Sequence, residues 1–300
     1  MNNNKKTCVL ILILCLIFLL TGCRDNTTTL KSTKHSTLTP TNSTTITNST
    51  TTTALSLSSP LTDKESLYNI EQYYQKFDFN KLLTLGTNDL IEYVQDLILD
   101  APGLLKYDYD DLRYLYDELD SDGKGGLILF YAQESHSATW DKGNTWNREH
   151  VFARSLGGFQ KDDAAGYDMY NVRPTITSIN SARDNKVFGN LDHNSSSVTK
   201  VSYNGKVVAW TNSSVFEPQD SVKGDVARIV FYVSTMYYKK YTNLELKQVL
   251  SDTTYKTILE WNAMDPVSED EIKRNNVVQK KQGNRNIFVD YPELANYIWG

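Results

Sequence analysis

Between Thr87 and Leu99 the chain reads TNDLIEYVQDLIL, with Leu90, Ile91, Val94, Leu97 and Ile98 at the three- and four-residue spacing of one helical face. A capping Thr or Asn at its start completes the signal for a core helix. Tyr107 to Leu119 reads as a second helix. LILFYAQ, Leu127 to Gln133, is an apolar and aromatic run of strand length, and WNREHVF, from Trp146, reads as a second strand. After the Gly157-Gly158 break, residues 167 to 189 supply Val172, Ile176 and Ile179, with Pro174 suited to a first helical turn and Gly189 closing the region. The predicted order is strand, strand, loop, helix. Helices are also predicted at 226–238 and 243–252, and Ile258, Trp261 and Trp299 read as core. The pattern predicts an α+β domain that is mostly helical.

The first 62 residues follow another pattern. Lys5 and Lys6 precede an uncharged apolar run, Cys8 to Leu20, which reads as the core of a signal peptide. A helix over 8–22 would rise about 22 Å, short of the roughly 30 Å of hydrocarbon that a permanent anchor must cross. Leu20-Thr21-Gly22-Cys23 resembles the lipobox of bacterial lipoproteins, which implies cleavage before Cys23 and a lipid on its thiol. From Arg24 to Thr62, 22 of 39 residues are Thr or Ser. Such a segment cannot bury enough apolar surface to offset chain entropy, and as a flexible coil it has an end-to-end distance of about 35 Å. The expected organisation is signal peptide 1–22, lipid-attached tether 23–62 and a single catalytic-size domain 63–300, held at the extracellular face of the cell membrane.

Charge and cysteine usage narrow the chemistry. A formal net charge of −5 excludes a generic basic nucleic-acid coat, so any phosphate contact must be local. One local cluster is 272–286, with five cationic side chains and no acid, readable as a phosphate grip or as a solvated charged face. Cys8 and Cys15 lie in the signal segment, so a mature chain beginning at Cys23 has no disulfide, no cysteine-held metal and no thiol nucleophile in the domain. DSDGKGG, 120–126, imitates a calcium loop but offers Lys124 and Tyr131 where oxygen ligands are needed, so it reads as a turn.

Of four histidines, His35 falls in the tether, and His136 and His193 read as polar surface or loop residues. His150 follows Glu149 directly and precedes a segment that presents Asn180 and Arg183 three residues apart on one helical face. A carboxylate and an amide oxygen suit Mg²⁺, which keeps waters and takes phosphate oxygens as further ligands. A neutral imidazole beside them can deprotonate a water. Adjacent strand residues point to opposite faces, so Glu149 and His150 can share one site only at a strand end or a bulge.

NREHVF, DMYNVRP, INSARDNKVFG and QGNRNIFVDYPE, in this order over roughly residues 107 to 299, resemble the signature segments of the bacterial endonuclease I family, ββα-metal (His-Me finger) nucleases. The resemblance implies a ββα-metal core within a mostly helical domain, and sequence-nonspecific cleavage of DNA, often of RNA, to 5′-phosphorylated products. It implies Mg²⁺ as cofactor, with Ca²⁺ or Mn²⁺ as substitutes. By position, His150 matches the general base and Glu149 and Asn180 the metal ligands. Arg173 and Arg183 are the candidates for the transition-state arginine, with a structural ion pair as the alternative for each. Asp168, Tyr170 and Asn171 are expected to support the site. Tyr170 stands where the family often has histidine, and Ile287 where it often has proline. The expected partners are nucleic acid and, through the lipid, a membrane, with no obligate protein. The competing readings are a lipid-anchored binding or adhesion protein and a phosphoesterase confined to RNA or small nucleotides.

Overall fold

A computed structural model describes residues 73–99, 106–241, 250 and 252–300. The segments expected to be signal peptide and tether, with Cys23, and most of the helix expected over 243–252 lie outside the described residues. In chain order the main elements are α1 (Thr87–Leu99), α2 (Tyr116–Leu119), β1 (Gly126–Leu129), β2 (Glu134–Ser137), β3 (Trp146–His150), α3 (Arg154–Gly157), β4 (Val172–Ile176) and α4 (Thr177–Arg183). They continue as β5 (Val187–Phe188), β6 (Thr199–Tyr203), β7 (Lys206–Thr211), β8 (Val215–Pro218), α5 (Lys223–Met236), α6 (Asp252–Met264), α7 (Glu269–Gln282) and α8 (Leu294–Trp299). The protein is α+β.

Helix α5 is buried at every residue, as expected of a helix packed on all sides, and α1 and α6 lie against it. Leu90, Ile91, Val94 and Ile98 of α1 are buried, as are Ile258, Trp261 and Trp299. Helix α7 begins with a capping box, Ser268 and Glu271 each bonding the other's backbone N–H, and ends at Gly283, whose φ of 96° suits glycine. No helix among the described residues is long and apolar enough to cross a membrane.

Three small sheets replace the two strands predicted. β1 and β2 form a hairpin, β3 and β4 an antiparallel ribbon, and β5-β8-β7-β6 a four-stranded sheet in which β5 and β8 run parallel. The run LILFYAQ is strand only to Leu129, and its remaining apolar residues form the buried turn into β2. Burial without strand geometry produced the same hydrophobic signal. Tyr107–Leu119 is also broken, into a 3-10 turn at Asp111–Tyr114 and α2. There the Asp108 carboxylate accepts the N–H groups of Asp110 (2.7 Å) and Asp111 (3.0 Å), competing with helix start. DSDGKGG is a turn, in which Asp122 Oδ1 accepts from Lys124 N and Gly126 N, both at 2.8 Å.

The largest correction concerns Pro174, which lies in strand β4 rather than in a first helical turn. Val151 N donates to Asn171 O at one end of the ribbon and Thr177 N to Thr145 O at the other. The alternation of the ladder then makes Arg148 and Pro174 a non-hydrogen-bonded pair, so the missing N–H of proline leaves β3 nothing unsatisfied. Helix α4 starts three residues later, at Thr177.

The cationic segment 272–286 is not a free phosphate grip. Arg285 is fully buried and pairs with both oxygens of Asp290, each at 2.7 Å. Arg274 is buried against Asp120 (3.0 Å), Lys281 reaches Glu118 (2.8 Å) and Lys273 reaches Asp270 (3.3 Å). Of these, Arg274 and Lys281 join α7 to the segment around α2.

Candidate active site

A cleft of about 480 Å³ opens where β3 ends beside α4. Glu149, His150, Asn180 and Arg183 all line it, together with Tyr109, Arg148 and Arg154. His150 is the last residue of β3, so the strand ends where two neighbouring side chains must reach one space. The helix is fastened to that strand end through side chains. Asn180 Nδ2 donates to Arg148 O (3.3 Å), and Arg183 donates from Nη1 to His150 O (3.3 Å) and from Nη2 to Val151 O (2.6 Å).

Each group of chemical interest keeps one atom unengaged. His150 Nε2 lies 2.8 Å from Gly166 O, which can only accept, so Nε2 carries the proton and Nδ1 holds a lone pair. The ring stacks on Tyr109 at 5.3 Å between centroids and 10° between planes, fixing its orientation. Glu149 is buried, and its contacts with Tyr131 Oη (2.9 Å) and Arg183 Nε (3.3 Å) both fall on Oε1. Among the described residues Oε2 has no partner, and neither has Asn180 Oδ1. The Arg183 contact is an ion pair by distance without hydrogen-bond alignment, since Nε has no bonded acceptor.

Electrostatics follow from this burial. Desolvation holds the His150 imidazole down to about 4, and Arg154, Arg183 and Arg148 add to that while the Gly166 bond opposes it. The ring is therefore neutral near pH 7. Desolvation pushes the Glu149 carboxyl up to about 7, against the pull of Arg183 and Tyr131.

The arginines separate by environment. Arg173 does not line the cleft. It is buried under the ribbon with Nη2 at 2.8 Å from Asp120, which makes it the structural ion pair of the two readings. Arg183 lines the cleft but is about 1% exposed, and its guanidinium is committed to backbone carbonyls and Glu149. Arg154, on the first turn of α3, is exposed at the cleft and has no ion pair among the described residues. Sequence reasoning passed over it, although a cation four residues after His150 in a polar loop was a visible signal. Tyr109 was passed over as well, because only the tertiary fold brings it to His150.

Of the expected supporting residues, Asn171 buttresses the loop after β3. Its Oδ1 accepts from Phe152 N (2.8 Å) and its Nδ2 donates to Ala165 O (2.9 Å). Asp168 and Tyr170 lie deeper, in a buried network with Tyr232, Asn275, Gln282 and Asn284. His136 sits on β2, and His193 is exposed, stacked on Trp210 and bonded to Glu217 (2.9 Å). Neither histidine lines the cleft.

A family model described as Endonuclease I matches residues 97–293. The chain belongs to the endonuclease I family. It is 35% identical over 226 residues to the extracellular ribonuclease of Bacillus subtilis (strain 168), covering 71% of this chain and 75% of that one. It is 35% identical over 210 residues to the extracellular ribonuclease of Bacillus amyloliquefaciens, covering 66% and 70%. It is also 31% identical over 164 residues to Endonuclease-1 of Buchnera aphidicola subsp. Baizongia pistaciae (strain Bp), covering 52% and 57%. This endonuclease I member is a nucleic-acid hydrolase, which removes the binding or adhesion protein from the competing readings. Dependence on a divalent metal is general in the family. Among the described residues no cluster of three or more His, Cys, Asp or Glu side chains is gathered for a metal. Glu149 and Asn180 line the cleft with oxygen donors of the hard type, and so sparse a donor set would suit an ion that retains water and takes phosphate oxygens.

The Glu149 environment predicts a pH effect on stability. The folded-state value, about 7, lies above the ordinary 4.5, so the metal-free fold holds this proton and loses stability as pH rises through that window. Thermal denaturation in EDTA should give a Tm that falls between about pH 5 and about pH 7.5, with Mg²⁺ restoring it at the upper end. Glu149→Gln should lack that component of the slope. Identical slopes in wild type and variant would show that Glu149 is not the titrating group.

Proposed function

We propose that this cleft is the centre of a ββα-metal endonuclease, with β3 and β4 as the two strands and α4 as the helix. It hydrolyses phosphodiester bonds of DNA, RNA or both with little regard to base sequence, leaving 5′-phosphates. The observation that carries the proposal is the tautomer of His150. With Nε2–H donated to Gly166 O, Nδ1 is left with its lone pair on a residue that lines the same cleft as Glu149 and Asn180.

His150 takes the proton of the attacking water at Nδ1, with Tyr109 and Gly166 keeping the ring from turning. Glu149 and Asn180 would hold Mg²⁺, or Mn²⁺ or Ca²⁺ in its place. Such an ion supplies positive charge at the phosphate and at the departing oxygen. Arg154 meets the non-bridging phosphate oxygens, because it is the cleft arginine with a free guanidinium. Arg183 positions Glu149 and the backbone of His150 without touching substrate. Tyr131 holds Glu149 Oε1, so that Oε2 remains the ligand atom.

The relatives named as extracellular ribonucleases support export, and the lipobox supports retention at the membrane through Cys23. Cys23→Ser should move the protein from the detergent phase to the aqueous phase. A variant that still partitions as wild type overturns the anchor alone.

The test of the function is digestion of duplex DNA, single-stranded DNA and RNA side by side in Mg²⁺ and in EDTA. Internal cleavage of at least one polymer that ceases in EDTA is the expected result. Cleavage unchanged by EDTA, or attack only on small nucleotides, overturns the proposal.

A further inference from the structure

A second cleft of about 480 Å³ lies beside the first, lined by Arg113, Tyr114, Asp117, Ala138 and Trp140 among others. Tyr114 is 65% exposed, so its ring face is open to the cavity side. Trp140 is half-buried, with one edge against the buried Trp146 at 4.8 Å between centroids. Among the described residues Tyr114 and Trp140 make no ring contact with each other, although both line this cavity. The Arg113 guanidinium lies 4.9 Å from the Tyr114 ring, and that of Arg148 lies 5.4 Å from the Trp140 ring.

The two clefts are joined. Arg113 and Arg148 both place Nη1 at 3.0 Å from Oδ1 of Asp110, so one carboxylate oxygen carries a guanidinium from each cleft. Arg148 also lies over Tyr109 at 3.9 Å, and Tyr109 stacks on His150. Rings and arginines in contact, His150, Tyr109, Arg148 and Trp140, therefore lead from the first cleft to the second.

We propose that the Tyr114–Trp140 cleft is a subsite for an unpaired base of the strand being cut, with Arg113 at the cleft wall beside its phosphate. This rests on the nuclease reading above and adds to it a place where single-stranded DNA or RNA is held by a base. Aromatic faces accept any unstacked base, whereas the bases of a duplex are already stacked on one another. Asp117 lines the same cleft, has no ion pair among the described residues and adds an acceptor for a base N–H, such as N3–H of thymine or uracil.

The test uses full-length protein with labelled oligo-dT, oligo-U and a duplex of equal length. Binding is measured by anisotropy in EDTA and cleavage in Mg²⁺. Stacking contributes enough per base that Tyr114→Ala should weaken binding to both single strands roughly 5- to 100-fold, with a matching rise in KM. Tyr114→Phe should behave as wild type, because it keeps the ring. Trp140→Ala should show the same selectivity as Tyr114→Ala, and duplex cleavage should change by less than about twofold in all three variants. An equal loss on single strands and duplex, or no loss on either, overturns the subsite while wild-type cleavage leaves the nuclease reading intact. A wild-type protein that cleaves none of the substrates overturns both.

Discussion

Replacing His150 by alanine should lower cleavage by about 10²- to 10⁴-fold, the usual contribution of a positioned general base. The side chain makes one hydrogen bond, to Gly166 O, and stacks on Tyr109, so its removal leaves the backbone of β3 and both candidate ligand atoms in place. Circular dichroism and thermal denaturation should therefore show a folded protein close to wild type. The alanine also leaves a ring-sized gap beside Gly166, so millimolar imidazole should recover part of the rate. An alanine variant that recovers with excess Mg²⁺ and not with imidazole would make His150 a ligand and remove it as the base.

Arg183→Ala should act through the fold. The guanidinium is buried, holds the carbonyls of His150, Val151 and Asp184, and is the cation facing the buried Glu149. At about pH 8, where Glu149 is ionised, removing one partner of a buried ion pair leaves the other uncompensated, a loss of about 3–5 kcal/mol in unfolding free energy that shrinks as Glu149 takes up its proton. Arg183→Lys should recover little, since one ammonium cannot reproduce the fork that spans these carbonyls. Arg154→Ala is the contrast. Its exposed side chain should cost little stability but roughly 10- to 100-fold in kcat/KM, as expected for loss of a charge-assisted phosphate contact. Denaturation and kinetics on the two variants separate the roles. A stable but inactive Arg183→Ala together with a fully active Arg154→Ala would exchange them.

Parts of this arrangement were legible in the chain, and the limits have physical causes. Helix α1 appears where its periodicity places it, because it buries one regular face, and β3 covers the WNREH part of the segment that reads as a strand. The Glu149-His150 pair was readable as a single site once a strand end was assumed, and β3 does end at His150. Strand β4 was not readable, since a proline that sits harmlessly at a non-hydrogen-bonded position looks the same as one opening a helix. The β6–β7 hairpin was readable and was passed over. Asn204 and Gly205, with φ of 50° and 78°, form the turn that an Asn-Gly pair between alternating residues signals. The cationic run 272–286 misled because its partners, Asp120, Glu118 and Asp290, become neighbours only in the fold. The same holds for Tyr109, Asp110 and Arg113, whose nearness to His150 is set by β3 and the turn before α2.

The division of labour in the cleft is tested most directly by Mg²⁺ titration calorimetry on wild type, His150→Ala, Glu149→Ala and Asn180→Ala at about pH 8, where Glu149 is ionised. His150→Ala should bind the ion within about threefold of wild type. Loss of Glu149 should weaken binding by about 10-fold or more, and loss of Asn180 by a smaller factor in the same direction. Wild-type affinity in Glu149→Ala, or loss of binding confined to His150→Ala, would contradict the assignment of ligand and base in this cleft.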